Sequence, residues 1–185
     1  MSGTLALGIG MTGYDSRLRH VSPEVIYSDG GFLAVGDPTV SLLKDKAKAS
    51  QRRRCRLCFH ASAEANQQEM LIVMHRSSYV RPHRHLSKVE TLTIIEGNCN
   101  ALLFDDTGRV TQVIHMAAPG NGCFFYRMPE GIFHTLIFRS EWLVFLETTI
   151  GPFDAAMSEQ ATWAPPESTP EAGHDYLSTL RLPAT

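Results

Sequence analysis

The chain has 185 residues, of which 43% are hydrophobic and 19% charged, enough for one well-buried core. A formal net charge of -2 provides no electrostatic footprint for general nucleic-acid binding, and no stretch approaches the roughly 20 apolar residues that span a bilayer. Four cysteines are too few in a chain of this length for a disulfide scaffold, so reduced thiols and a cytoplasmic protein are expected.

Residues 1–20 show little periodicity and are expected to form a loose arm of no readable function. Glu24–Tyr27 and Phe32–Val35 are short β-prone runs around Ser28-Asp29-Gly30-Gly31, a hairpin signal. Asp37-Pro38 marks a helix start with Asp37 as N-cap. Val40, Leu43 and Ala47 recur at helical spacing, and the helix is expected to end near Ser50. The basic cluster that follows, Arg52, Arg53, Arg54 and Arg56, reads best as a solvated helix end, with an arginine reaching an anionic substrate as a lesser reading. Cys55-x-x-Cys58 without a second pair is a weak zinc signal. Met70–Met74 is an apolar run of strand length.

The stretch from Tyr79 to Gly97 carries the chemistry. His83 and His85, two residues apart, project from one face of a strand and can share a metal ion. A turn at Leu86–Lys88 then starts a second strand on which Glu90, Leu92 and Ile94 share a face, so that Glu90 can swing back to the histidines. Pro129-Glu130-Gly131 sets a turn ahead of a strand bearing His134, the fourth candidate ligand. Three imidazoles and a carboxylate suit one divalent transition metal, such as iron, manganese, nickel, cobalt or zinc, with two octahedral positions left free. If the strand is regular, Tyr79 and Arg81 share the parity of the histidines. Arg81 is then the candidate to grip a carboxylate or phosphate, against the alternative of a solvated strand end.

Strands follow at Asn98–Phe104, Arg109–Met116, Cys123–Met128 and His134–Phe138, with Asp105–Gly108 as a hairpin turn. Trp142–Thr149 is a nearly continuous apolar strand interrupted by Glu147, a carboxylate costly to bury unless paired and hence a candidate acid or base. Residues 161–170 read as an extended tail, and Asp175–Arg181 as one short helix.

His-x-His, four residues, Glu, six residues, Gly resembles the first cupin motif, and Pro-x-Gly-x-x-His the core of the second. Ser77, Gly122 and Phe138 depart from the general pattern without touching a ligand. The run from Arg81 to Gly97, with Phe104–Gly108, Gly131-x-x-His134 and Glu147 ahead of Gly151-Pro152-Phe153, resembles more narrowly the WbuC family of cupin-fold metalloproteins. The resemblance implies an all-β cupin jelly-roll (double-stranded β-helix) barrel over residues 51–155. An N-terminal hairpin and helix extension would precede it over 1–50, and a C-terminal tail over 156–185 would pack on the barrel. It also implies an association with bacterial surface-polysaccharide biosynthesis. His60 resembles a histidine upstream of the barrel in WbuC-like chains and is a candidate substrate-facing residue. Cupins are often dimers and jelly-roll edges invite pairing, so a homodimer is expected. The expected partner is a small polar or anionic molecule, such as a sugar or nucleotide sugar. The expected reaction is isomerase-type, with a dioxygenase, a hydrolase or a non-catalytic sugar- or metal-binding module as alternatives.

Overall fold

The structure, a computed structural model, describes residues 18–183. Its strands are β1 (Arg19–Ser22), β2 (Val25–Tyr27), β3 (Arg54–Cys58), β4 (Gln67–His75), β5 (His83–His85) and β6 (Glu90–Glu96). They continue as β7 (Asn98–Phe104), β8 (Val110–Ala117), β9 (Phe125–Met128), β10 (Phe133–Phe138), β11 (Trp142–Ile150) and β12 (Ser158–Gln160). Helices α1 (Asp37–Ala49) and α2 (Pro170–Thr179) complete the elements. All but three residues of the expected N-terminal arm lie outside the described residues.

The strands form two sheets, ordered β1-β2-β3-β4-β11-β6-β9 and β12-β5-β10-β7-β8. All pairs are antiparallel except β2 with β3. From β4 to β12 the chain crosses between the sheets at every connection except β7–β8, and this alternation wraps the two sheets into a double-stranded β-helix. Gly97 makes the β6–β7 crossing at φ +84°, so close to the Trp142 carbonyl and the Ser140 hydroxyl that a side chain would collide with both. No helix among the described residues is long and apolar enough to cross a membrane.

Alternation sorts β3, β4 and β11. Cys55, Leu57, Leu71, Val73 and Val144 face outward onto Leu43 and Ala47 of α1 and onto Ile26. Met70, Ile72, Met74, Leu143 and Phe145 face the barrel interior.

Four expectations need correction. The basic cluster does not end a helix: α1 stops at Ala49, capped by Ser50, and Arg54–Cys58 is a strand between β2 and β4. The N-cap of α1 is Gly36, and Asp37 falls in the first turn, where its charge meets the free amides. Phe32–Val35 is not a strand. Ser28 donates to the Phe59 carbonyl at 2.6 Å and accepts from Gly30, and Asp29 accepts from Gly31, a tight turn that directs the chain toward α1. The hairpin partner of β2 is β1 instead. The last helix starts earlier than expected, at Pro170.

Candidate metal centre

Each ligand strand is placed by local sequence. β5 is three residues long and lies between β10 and β12, with His83 opposite His134 and His85 opposite Ser158. Gly131, at φ +78°, closes the turn before β10, and its N–H donates to the His85 carbonyl at 2.7 Å. On β6, Glu90, Leu92 and Ile94 are buried while Thr91 and Thr93 are half-buried, the alternation that aims Glu90 inward.

The structure brings His83, His85, Glu90 and His134 together, their candidate ligand atoms all within 4.8 Å of one another. His83 Nδ1 donates to the Arg81 carbonyl at 3.0 Å and His134 Nδ1 to the Ile132 carbonyl at 2.9 Å, because a carbonyl can only accept. In both rings this leaves the Nε2 lone pair for a metal. His85 Nδ1 lies 3.1 Å from Ser158 Oγ and its Nε2 3.0 Å from Glu90 Oε2. Tyr126 donates to Glu90 Oε1 at 2.6 Å, which turns Oε2 toward the imidazoles.

The electrostatics fit a cation. Burial, aided by the neighbouring imidazole of His134, pushes His83 down to about 4, so it is neutral near pH 7. Burial alone would raise Glu90, but hydrogen bonds from His134, His85 and Tyr126 outweigh it and hold the carboxyl well below its usual range. Burial alone would lower His134, but the same contact with Glu90 raises it by favouring a proton that a divalent ion bound between the two would displace. The donor set therefore fits one divalent transition metal.

The cluster opens onto a cavity of about 650 Å³ inside the barrel. Apolar Ile72, Met74, Val80, Leu92, Leu136 and Phe145 line it, together with Glu147, Arg56 and Arg81. Glu147 lies opposite Leu92 on β6 and Met70 on β4, on the interior face. It lines this cavity. Burial and the charge of Glu90 raise its carboxyl to about 8, against a lowering pull from Arg56.

The other three candidates fall differently. Tyr79 does not line the cavity: its hydroxyl donates to the Pro165 carbonyl at 3.0 Å, and its ring faces His174 of α2 at 6.2 Å. Pro82, which has no N–H to donate to a ladder, precedes a β5 confined to residues 83–85, so the histidine parity does not extend back to Tyr79. Arg81 lines the cavity wall, but its Nε donates to the Ala161 carbonyl at 2.9 Å and so holds the C-terminal segment. His60 lies outside the cavity, edge-on to Tyr27 at 5.4 Å, with Nδ1 accepting from the Glu69 N–H at 3.0 Å.

Sequence reasoning does not single out Tyr126, and it leaves Arg56 as one of four arginines that share the lesser reading of contact with an anionic substrate. Alternation could have found both, since Tyr126 sits two residues from Met128 on an aromatic strand, and Arg56 lies between Cys55 and Leu57, which face the other way.

A family profile described as a domain of unknown function (DUF6016) matches residues 36–116, which include His83, His85 and Glu90 but not His134. No curated protein matches the chain. Among solved structures it is similar to the capsular polysaccharide assembling protein CapF of Staphylococcus aureus. The TM-score is 0.49 and the identity 14%, over 60% of this chain and 32% of that one. It is also similar to oxalate decarboxylase of Bacillus subtilis, with a TM-score of 0.46 and 17% identity over 71% of this chain and 38% of the decarboxylase. A conserved protein with a double-stranded β-helix domain from Klebsiella pneumoniae gives a TM-score of 0.42 and 19% identity, over 53% and 77%. The chain thus spans about a third of the length of CapF and of the decarboxylase.

Proposed function

We propose that this chain is a metal-dependent enzyme that moves a proton next to a carbonyl of a small polar or anionic substrate, in isomerase-type chemistry. The observation that carries the reading is Glu147, an acid with no hydrogen-bonded partner among the described residues, raised to about 8 in the same cavity as the four-ligand cluster. A divalent ion bound there supplies Lewis acidity toward a substrate oxygen. His83, His85, Glu90 and His134 hold the ion, and Tyr126 fixes the Glu90 carboxylate. Leu92, Phe145 and Ile72 give the cavity an apolar wall beside Glu147. Glu147, titrating near neutral pH, takes the proton from one carbon and returns it to the next.

The narrower resemblance to WbuC-like chains supports a sugar or nucleotide sugar of surface-polysaccharide biosynthesis as substrate. The edge strands β8 and β9 supply surfaces for a cytoplasmic homodimer.

The test starts with elemental mass spectrometry on protein purified without added metal, beside a His83→Ala, His134→Ala double variant. The expected result is near-stoichiometric metal lost in the variant. Metal-loaded protein is then incubated with aldoses and ketoses in D2O, and deuterium should enter beside the carbonyl in wild type but not in Glu147→Gln. Folded protein that takes up no metal overturns the reading.

A further inference from the structure

Four arginines lie between residues 52 and 56, and three are engaged. Arg52 pairs with Glu24 and Glu167, Arg53 donates to the Lys48 carbonyl at 2.6 Å, and Arg54 binds Glu167 at 2.7 Å. Arg56 differs. Its Nε is buried without a hydrogen-bond partner, and among the described residues no carboxylate lies within 4.0 Å of its guanidinium. The side chain as a whole is half-buried, but a buried donor left unpaired costs free energy, so stability alone does not account for the placement of this Nε.

Register fixes where Arg56 stands. On the interior face, Glu90 shares a row with Thr149, Glu147 shares the next with Leu92 and Met70, and Arg56 shares the next again with Ile72 and Phe145. Successive rows are about 6.6 Å apart along the strands, so Arg56 is rooted about 13 Å along the barrel from the Glu90 row, with Glu147 between. All three line one cavity. At its mouth Arg52 and Arg54 are matched by Glu24 and Glu167, so these four bring no net charge. Inside, a divalent ion and the guanidinium outweigh Glu90 and Glu147 even with both carboxylates ionised, and the cavity favours an anion. The space between the ends is lined by Ile72, Phe145 and Leu92, which suits a short carbon chain. A single guanidinium with a free Nε edge matches a planar carboxylate through two parallel hydrogen bonds.

We propose that Arg56 anchors a substrate carboxylate, and that the cavity takes a small acid whose other end presents a carbonyl or hydroxyl oxygen to the His83, His85, Glu90 and His134 centre. This names the substrate class for the proposed enzyme and rests on that reading of the centre.

The experiment is calorimetric titration of the metal-loaded protein with 2-oxoglutarate and 2-oxoadipate, each against the 2-oxo monoacid of the same chain length. Metal content is measured on every sample. Wild type should bind at least one diacid tenfold or more tightly than its monoacid. Arg56→Met should lose that preference with metal content and monoacid affinity unchanged, and Arg56→Lys should keep part of it. Ligand-free Arg56→Met should melt at or above the wild-type temperature, since it removes an unpaired buried donor. Equal binding of diacid and monoacid by metal-loaded wild type overturns the role of Arg56 while leaving the metal centre standing. So does a preference that survives in Arg56→Met, or a lower melting temperature in that variant. Wild type without metal overturns both readings.

Discussion

Strands β3, β4 and β11 present two faces that could hardly differ more. Toward α1, the side chains of Cys55, Leu57, Leu71, Val73 and Val144 close with Leu43, Ala47 and Ile26 into a dry apolar layer. Toward the barrel axis, the alternate residues of the same strands include Arg56 and Glu147 and border an open cavity. Stability and chemistry are therefore separated by the parity of a position, not by its region of the chain. A one-residue slip in β3 would put Arg56 against the helix and Leu57 into the cavity.

The deepest break comes from the ligands. His83→Ala with His134→Ala is expected to abolish metal binding, read by elemental mass spectrometry, with the far-UV circular dichroism of the barrel retained. Next, Glu147→Gln should cut turnover by roughly 10²- to 10⁴-fold with metal content unchanged, the range of a general acid-base group. The same variant sharpens the comparison through pH. Glu147 goes from an ordinary 4.5 when unfolded to about 8 in the folded chain, so between those values the folded state keeps a proton that the unfolded state has released. Its contribution to stability is thus lost as pH rises from about 4.5 to about 8. Urea titrations of metal-free protein across this window should show a fall that Glu147→Gln flattens.

On the other face, Leu57→Ala should cost about 2–5 kcal/mol by urea denaturation, because the site is closed on all sides, while the folded fraction binds metal normally. The smallest effect is expected from Tyr126→Phe. Loss of the hydrogen bond to Glu90 Oε1 should weaken metal affinity about 10- to 100-fold in a chelator competition, with little change in melting temperature.

The parity that divides these faces was also what the sequence made legible. His83 with His85, the turn before Glu90, and the Pro-Gly turn before His134 are local features of spacing, and the structure places their side chains around one point. Extending the same parity to Tyr79 failed because Pro82 interrupts the ladder, and Arg81 was drawn off by a carbonyl 80 residues away. Arg56 was hidden for a different reason. Beside a helix end its neighbours read as a solvated basic run, and only the pairing of Arg52 and Arg54 with Glu24 and Glu167 shows which arginine was left for the interior. Such long-range pairings leave no period in a sequence.

The dependence of β5 on β12 bears on the order of assembly. Ser158, whose hydroxyl stands against the His85 ring, is 73 residues downstream of that histidine. A ribosome must therefore add 73 residues after His85 before the strand bearing two of the four candidate ligands gains its outer neighbour. A nascent chain halted before Ser158 would carry His83, His85, Glu90 and His134 without the strand that flanks the first two.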